Sequence, residues 1–181
     1  MKHINNIKNR FAAFTLIELL VVISIIAVLA SLALPAITGA LVKGQITQTT
    51  SNYRQLYILT QSANLDIQGA GGAGAFPGDV TNAAGWKAAL VSNYCSQATY
   101  SNLVSVKGAV SNTLVYLAGS TNDSTSVFLS TANINVNGAI TGIAPYALKG
   151  GSVVTLGGSA ISVTGTTVSY THLTLPTTER V

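Results

Sequence analysis

The chain has 181 residues, room for one modest domain plus an extension, and only 8% of them are charged, against about a quarter in ordinary soluble domains. Acidic side chains are confined to Glu18, Asp66, Asp79, Asp123 and Glu179, so the net charge of +4 is a small excess on a charge-poor chain. Beyond Arg10 the basic residues stand far apart with no interleaved aromatics, which argues against a nucleic-acid partner, and a lone Cys95 with histidines only at His3 and His172 leaves metal hydrolysis and Ser-His-Asp or Cys-His catalysis without a necessary component.

Residues 1–13 form a short leader carrying Lys2, Lys8 and Arg10. From Phe14 to Leu34 the chain is apolar, with Glu18 as its only charge. As a helix this run is about 31 Å long, close to the ~30 Å hydrocarbon thickness of a bilayer. The basic leader places the N-terminus in the cytoplasm and the remainder of the chain outside. A carboxylate inside an apolar helix bundle needs a cationic partner, and no Lys or Arg lies on this stretch. A free α-amino group, exposed by a cut just before Phe14, would supply one. Pro35 then removes a helical hydrogen bond and is expected to kink the axis, the plainer reading being a helix end just outside the bilayer. A different reading of the same residues is an ordinary secretory signal peptide with Ser31, Leu32 and Ala33 as its cleavage site, or a simple uncleaved anchor. The length of the apolar run and the Glu18 inside it count against the signal peptide.

Over 36–67, Ile46, Tyr53, Leu56, Tyr57, Leu59 and Ala63 recur at three- and four-residue spacing, the mark of an amphipathic helix with one buried stripe. One long helix from about Phe14 to Asp66 is therefore expected, weakened near Gly39 and Gly44. The glycine run "GAGGAGAFPGD" (Gly69 to Asp79) ends it as a loop; it lacks the lysine and spacing of a phosphate-binding loop. Thr81 to Ser96 reads as a short helix capped by Thr81 or Asn82, with Trp86, Leu90 and Val91 inward and Cys95 a small buried filler. From Asn112 onward "TLVYLAG", "SVFLST", "AITGIAPYALKGGSVVTLGG" and "SAISVTGTTV" are strand-like. Helix first and strands after point to an α+β fold, with residues 68–167 forming loops and a small antiparallel sheet on the helix. The last stretch, "VSYTHLTLPTTERV" (Val168 to Val181), reads as a translated transposon-end adapter of sequencing-library preparation, so the natural C-terminus is expected to be missing, together with any disulfide partner of Cys95; the alternative reading is a genuine terminal strand.

The stretch "AFTLIELLVVISIIAVLASLALPA" resembles the N-terminal signature of type IV pilins and type II secretion pseudopilins. More weakly, "FPGD…GWKAAL" and "VFLSTANI…APYALKGGSVV" resemble pseudopilin-type proteins of environmental bacteria. The resemblance implies that a prepilin peptidase cuts between Ala13 and Phe14 and methylates the new amine, with Ala13 standing where glycine is commoner. It implies that Glu18 pairs with the Phe14 amine of a neighbouring subunit and sets filament register. The implied function is a structural, non-enzymatic subunit of a type II secretion pseudopilus or type IV pilus-like filament. Its partners would be copies of itself, other pilin-like subunits, the peptidase, an inner-membrane assembly platform with its ATPase, and lipid. Its location would be the bacterial inner membrane and then a periplasmic or surface filament. Some major pseudopilins hold calcium in a loop; here Asp79 and Asp123 are the acidic candidates, against the plainer reading as solvated loop residues, and no other cofactor is implied. The alternative function is a membrane-anchored or secreted β-rich binding or adhesion module with an ordinary signal peptide.

Overall fold

The computed structural model describes residues 14–135, 139–165 and 178–180. The chain divides into two compact units between Ala40 and Leu41, and helix α1, Leu16–Gly69, contributes residues to both. In the first unit α1 is the long apolar helix expected from the sequence. It is long and apolar enough to cross a membrane, and none of its most apolar window is buried. Its hydroxyls are satisfied within the helix: Ser24 Oγ donates to the Val21 carbonyl at 2.7 Å and Ser31 Oγ to the Val28 carbonyl at 2.8 Å. A hydroxyl bonded to its own backbone needs no water, which suits an apolar medium.

In the second unit α1 packs on a sheet. Its buried positions are Ile46, Thr49, Tyr53, Leu56, Thr60 and Ala63, at alternating steps of three and four that keep one seam facing the sheet, with Asn64 beside the last of them. Tyr57 and Leu59, expected at the same seam, flank it half-buried. Three of these seven positions, Thr49, Thr60 and Asn64, are polar, which the apolar pattern does not reveal, and together with the Tyr53 hydroxyl they reach different elements. Tyr53 Oη is 2.7 Å from Thr113 Oγ1, and Trp86 Nε1 donates to Thr60 Oγ1 at 3.0 Å. The hydroxyls of Thr49 and Tyr146 are 2.7 Å apart, and Asn64 Oδ1 accepts from the Ala75 N–H at 3.0 Å. Satisfied buried networks of this kind fix one packing arrangement among many.

The glycine run stops α1 as anticipated. Gly72 N–H donates to the Ile67 carbonyl at 2.8 Å and Gly71 N–H to the Gln68 carbonyl at 2.9 Å. Gly71, at φ 86°, takes the left-handed position that such a paired C-terminal closure requires. Helix α2, Ala83–Asn93, follows; of the two cap candidates Asn82 serves, its Oδ1 accepting from the Gly85 N–H at 2.6 Å. Trp86 and Leu90 are buried as expected, whereas Val91 and Cys95 are only half-buried. The Cys95 thiol donates to the Leu90 carbonyl at 3.8 Å, and burial pushes its pKa up. Helix α3, Gln97–Val104, is not anticipated by the sequence reading. Its eight residues, rich in Ser, Thr and Asn, carry too short an apolar pattern, and its start depends on one cap, Ser96 Oγ accepting from the Thr99 N–H at 3.1 Å.

Strands β1 (Thr113–Tyr116), β2 (Val127–Thr131), β3 (Gly151–Thr155) and β4 (Ala160–Val163) form an antiparallel meander. The register sets Val115 opposite Leu129, Ser130 opposite Val153 and Val154 opposite Ala160. A register shift between Val127 and Leu129 lets the adjacent Phe128 and Leu129 both join the helix-side core. That core continues as edge-to-face rings, with Phe128 5.5 Å from Phe76 and 5.4 Å from Trp86 between centroids. On the opposite face Tyr116, Val127 and Val153 pack with Ile134 and Ile140 from the β2–β3 connection. The long strand-like stretch from Ala139 to Gly158 therefore yields only β3 and a single bridge between Ile134 and Ile140. Of the Val168–Val181 tail, only Thr178–Arg180 lies within the described residues, as β5 on the free edge of β1. An open edge presents unpaired backbone groups to any extended segment.

Candidate functional site

The start of α1 is organised by two side chains. Thr15 N–H donates to Glu18 Oε2 at 2.9 Å, and Thr15 Oγ1–H donates to the same oxygen at 2.7 Å. In return the Glu18 N–H donates to Thr15 Oγ1 at 3.3 Å. This is a capping box: residue Thr15 before the helix and Glu18 three residues on satisfy each other's free N–H groups. The sequence "TLIE" carries the signal, and a reading focused on charge passes over it. Both bonds to the carboxylate use Oε2; among the described residues Oε1 accepts none. The carboxylate also sits near the positive end of the helix dipole.

Around this cap the side chains are apolar and bare. Phe14 is 72% exposed, Leu16 81% and Ile17 68%, and Leu19 to Leu34 continue the same exposure. Phe14, Ile17, Glu18, Val21 and Val22 border a shallow depression on one flank. A charge and a free carboxylate oxygen therefore sit within a large uncovered apolar surface, the mark of an interface with lipid or protein. α1 continues through Pro35, whose carbonyl accepts from Thr38 Oγ1 at 3.0 Å. Ala13 and the rest of the leader lie outside the described residues.

The two calcium candidates sit in separate bonding arrangements. Asp79 ties the glycine-rich loop to the β1–β2 connection: Oδ1 accepts from the Ser120 N–H at 2.8 Å and Ser120 Oγ at 3.1 Å, and Oδ2 accepts from the Phe76 N–H at 3.3 Å. Gly119 stands against it; a Cβ there would fall 2.6 Å from Asp79 Oδ1. Asp123 closes its own turn, Oδ1 accepting from the Thr125 N–H at 3.0 Å, which holds its carboxyl below the usual range. Among the described residues no group of three or more His, Cys, Asp or Glu side chains comes together to hold a metal ion.

Comparison with known protein families finds a match at residues 8–34, to the prokaryotic N-terminal methylation motif. The chain carries the prepilin-type signature of type IV pilins and pseudopilins. The matched range spans Ala13, Phe14 and Glu18 and leaves the second unit outside it. No curated protein and no solved structure matches the chain. The prepilin-type signature points to a structural subunit rather than an enzyme, and it suggests peptidase processing and assembly with other pilin subunits. With the one long apolar helix found among the described residues, it is consistent with a membrane-anchored pilin-like protein.

Proposed function

We propose that this chain is a pseudopilin or minor pilin of a type II secretion pseudopilus or type IV pilus-like filament. Prepilin peptidase cuts between Ala13 and Phe14, the Phe14 amine is methylated, and the subunit polymerises through the helix that begins there. The observation that carries this reading is the lone Glu18 carboxylate amid exposed apolar side chains, bonded through Oε2 alone among the described residues. In a bundle of such helices Oε1 accepts from the Phe14 ammonium of the adjacent subunit, while Oε2 keeps the first turn closed. Apolar burial alone does not select a register, because lipid tails are as apolar as a neighbouring helix and the gain over lipid is small. A charge pair excluded from water is costly unless both members meet, so subunits shifted from register are penalised. Extraction from the bilayer costs free energy, which suits an ATP-driven assembly platform at the inner membrane.

The experiment separates the cap from the charge. Glu18→Gln can still close a capping box with Thr15 but offers no counter-charge; Glu18→Ala loses both. Filament yield by electron microscopy should collapse in both variants, with subunit levels in the membrane unchanged. Normal filaments from Glu18→Gln would reject the charge pair as the basis of register.

A further inference from the structure

The second unit carries a polar cleft, open to solvent, of about 310 Å³ that the assembly reading does not use. Gln45, Gln48 and Asn52 line it from one side of α1, and Asn102 lines it from α3. Gln45, Gln48 and Asn102 are exposed and Asn52 half-buried, and among the described residues none of these carboxamides makes a side-chain hydrogen bond within the protein, so water or a ligand completes them. Among the described residues that line it, Lys107, itself exposed, supplies the only charge, and no carboxylate lies there. Its ammonium is held 5.0 Å from the centroid of the Tyr146 ring. That ring is fixed in turn: Tyr146 Oη donates to the Gln45 carbonyl at 3.1 Å and is 2.7 Å from Thr49 Oγ1.

The local backbone indicates that the lysine is specifically placed. Val106 and Ala109 form a reciprocal pair, N–H to carbonyl at 3.1 and 3.2 Å, around the two-residue turn Lys107–Gly108. Both turn residues have positive φ, 50° and 80°, a geometry that Asn-Gly or Gly-Gly adopts with less strain. A lysine in the left-handed region costs roughly 1–2 kcal/mol. Strain of this kind concentrates at functional sites.

We propose that this cleft binds an acidic saccharide, a hexuronate unit whose carboxylate meets Lys107 and whose ring hydroxyls meet the carboxamides. A primary carboxamide both donates and accepts, as a sugar hydroxyl does, so several of them around one space match a hydroxyl-rich ligand. One ammonium among neutral carboxamides matches the single carboxylate of a hexuronate unit and is poor provision for the phosphates of a nucleic-acid backbone. The polar wall disfavours a lipid tail. The size is at the low end of ligand pockets, of roughly 300 Å³ and upward, and admits one sugar ring with its water. The inference stands apart from filament assembly, because every lining residue belongs to the second unit.

The test is calorimetric titration of the full chain in an uncharged polyoxyethylene detergent. Trigalacturonate should bind, whereas maltotriose and acetate, each lacking half of the chemistry, should bind at least about tenfold more weakly, the scale of one charge-assisted bond. Lys107→Asn keeps the turn, since Asn tolerates this backbone region well. It should leave the melting temperature equal or higher while weakening trigalacturonate about tenfold or more. Lys107→Arg should retain binding, and Lys87→Gln should leave it unchanged, which excludes attraction by overall charge. Equal binding of maltotriose, equal binding of acetate, unaltered binding by Lys107→Asn, or no binding of trigalacturonate at all would each overturn the proposal.

Discussion

Tyr53 and Thr113 join α1 to the sheet, and their substitutions should not cost the same. Tyr53 is fully buried; its hydroxyl is 2.7 Å from Thr113 Oγ1 and 3.4 Å from the Ser130 carbonyl. Thr113 Oγ1 also donates to the Val104 carbonyl at 2.6 Å. Tyr53→Phe removes one hydroxyl and strands no donor, because Thr113 keeps Val104; about 1 kcal/mol should be lost. Thr113→Val preserves shape but strands two buried groups, the Tyr53 hydroxyl with only a long bond left and the Val104 carbonyl. At about 1–3 kcal/mol for each unsatisfied group, the loss should be roughly 2–4 kcal/mol. The double variant again strands only Val104, so it should be more stable than Thr113→Val alone. Urea unfolding in detergent, followed by the fluorescence of Trp86, the only tryptophan, would measure all three. Equal costs for the single variants, or simple additivity in the double, would refute the assignment of donors and acceptors.

Burial raises the pKa of Tyr53, Tyr100, Tyr116 and Tyr146. Their contribution to stability is therefore complete below the free-tyrosine value near 10 and is lost as pH rises through the folded values; of the seven tyrosines, the share of tyrosinate absorbance that belongs to these four should appear together with the loss of helical circular dichroism, not before it. Asp79→Ala should cost about 2 kcal/mol and quicken hydrogen exchange at the Ser120 amide, which Asp79 accepts; unchanged exchange would deny that Asp79 ties the two loops. Thr15→Val removes the hydroxyl side of the capping box and should quicken exchange at the Glu18 amide while sparing the second unit; protection equal to that of the native chain would show that Thr15 does not cap α1.

Much of the architecture is legible in the sequence because it rests on periodicity and on glycine. The apolar run from Phe14, the seam through Ile46, Tyr53, Leu56 and Ala63, and the stop at Gly69 follow from spacing and backbone freedom alone. The polar part of that seam is not legible, because Thr49, Thr60 and Asn64 look like surface residues until Tyr146, Trp86 and Ala75 arrive from distant parts of the chain. The same non-locality hides α3, whose short helix leans on Ser96 and on the buried Tyr100 and Leu103. At the N-terminal site the charge of Glu18 is conspicuous in sequence, yet its bonding to Thr15 depends on where the helix starts, which composition does not specify. The cleft beside Lys107 is out of reach for the same reason, since α1, α3 and a tight turn each supply part of its wall.

The claim that α1 begins as a processed, polymerising end is tested most directly by mass spectrometry of the mature protein from the bacterial membrane. The account predicts a chain whose first residue is N-methylated Phe14. A chain that starts near Leu34, as signal-peptide cleavage after Ala33 would leave, or one that still carries Met1, would contradict it.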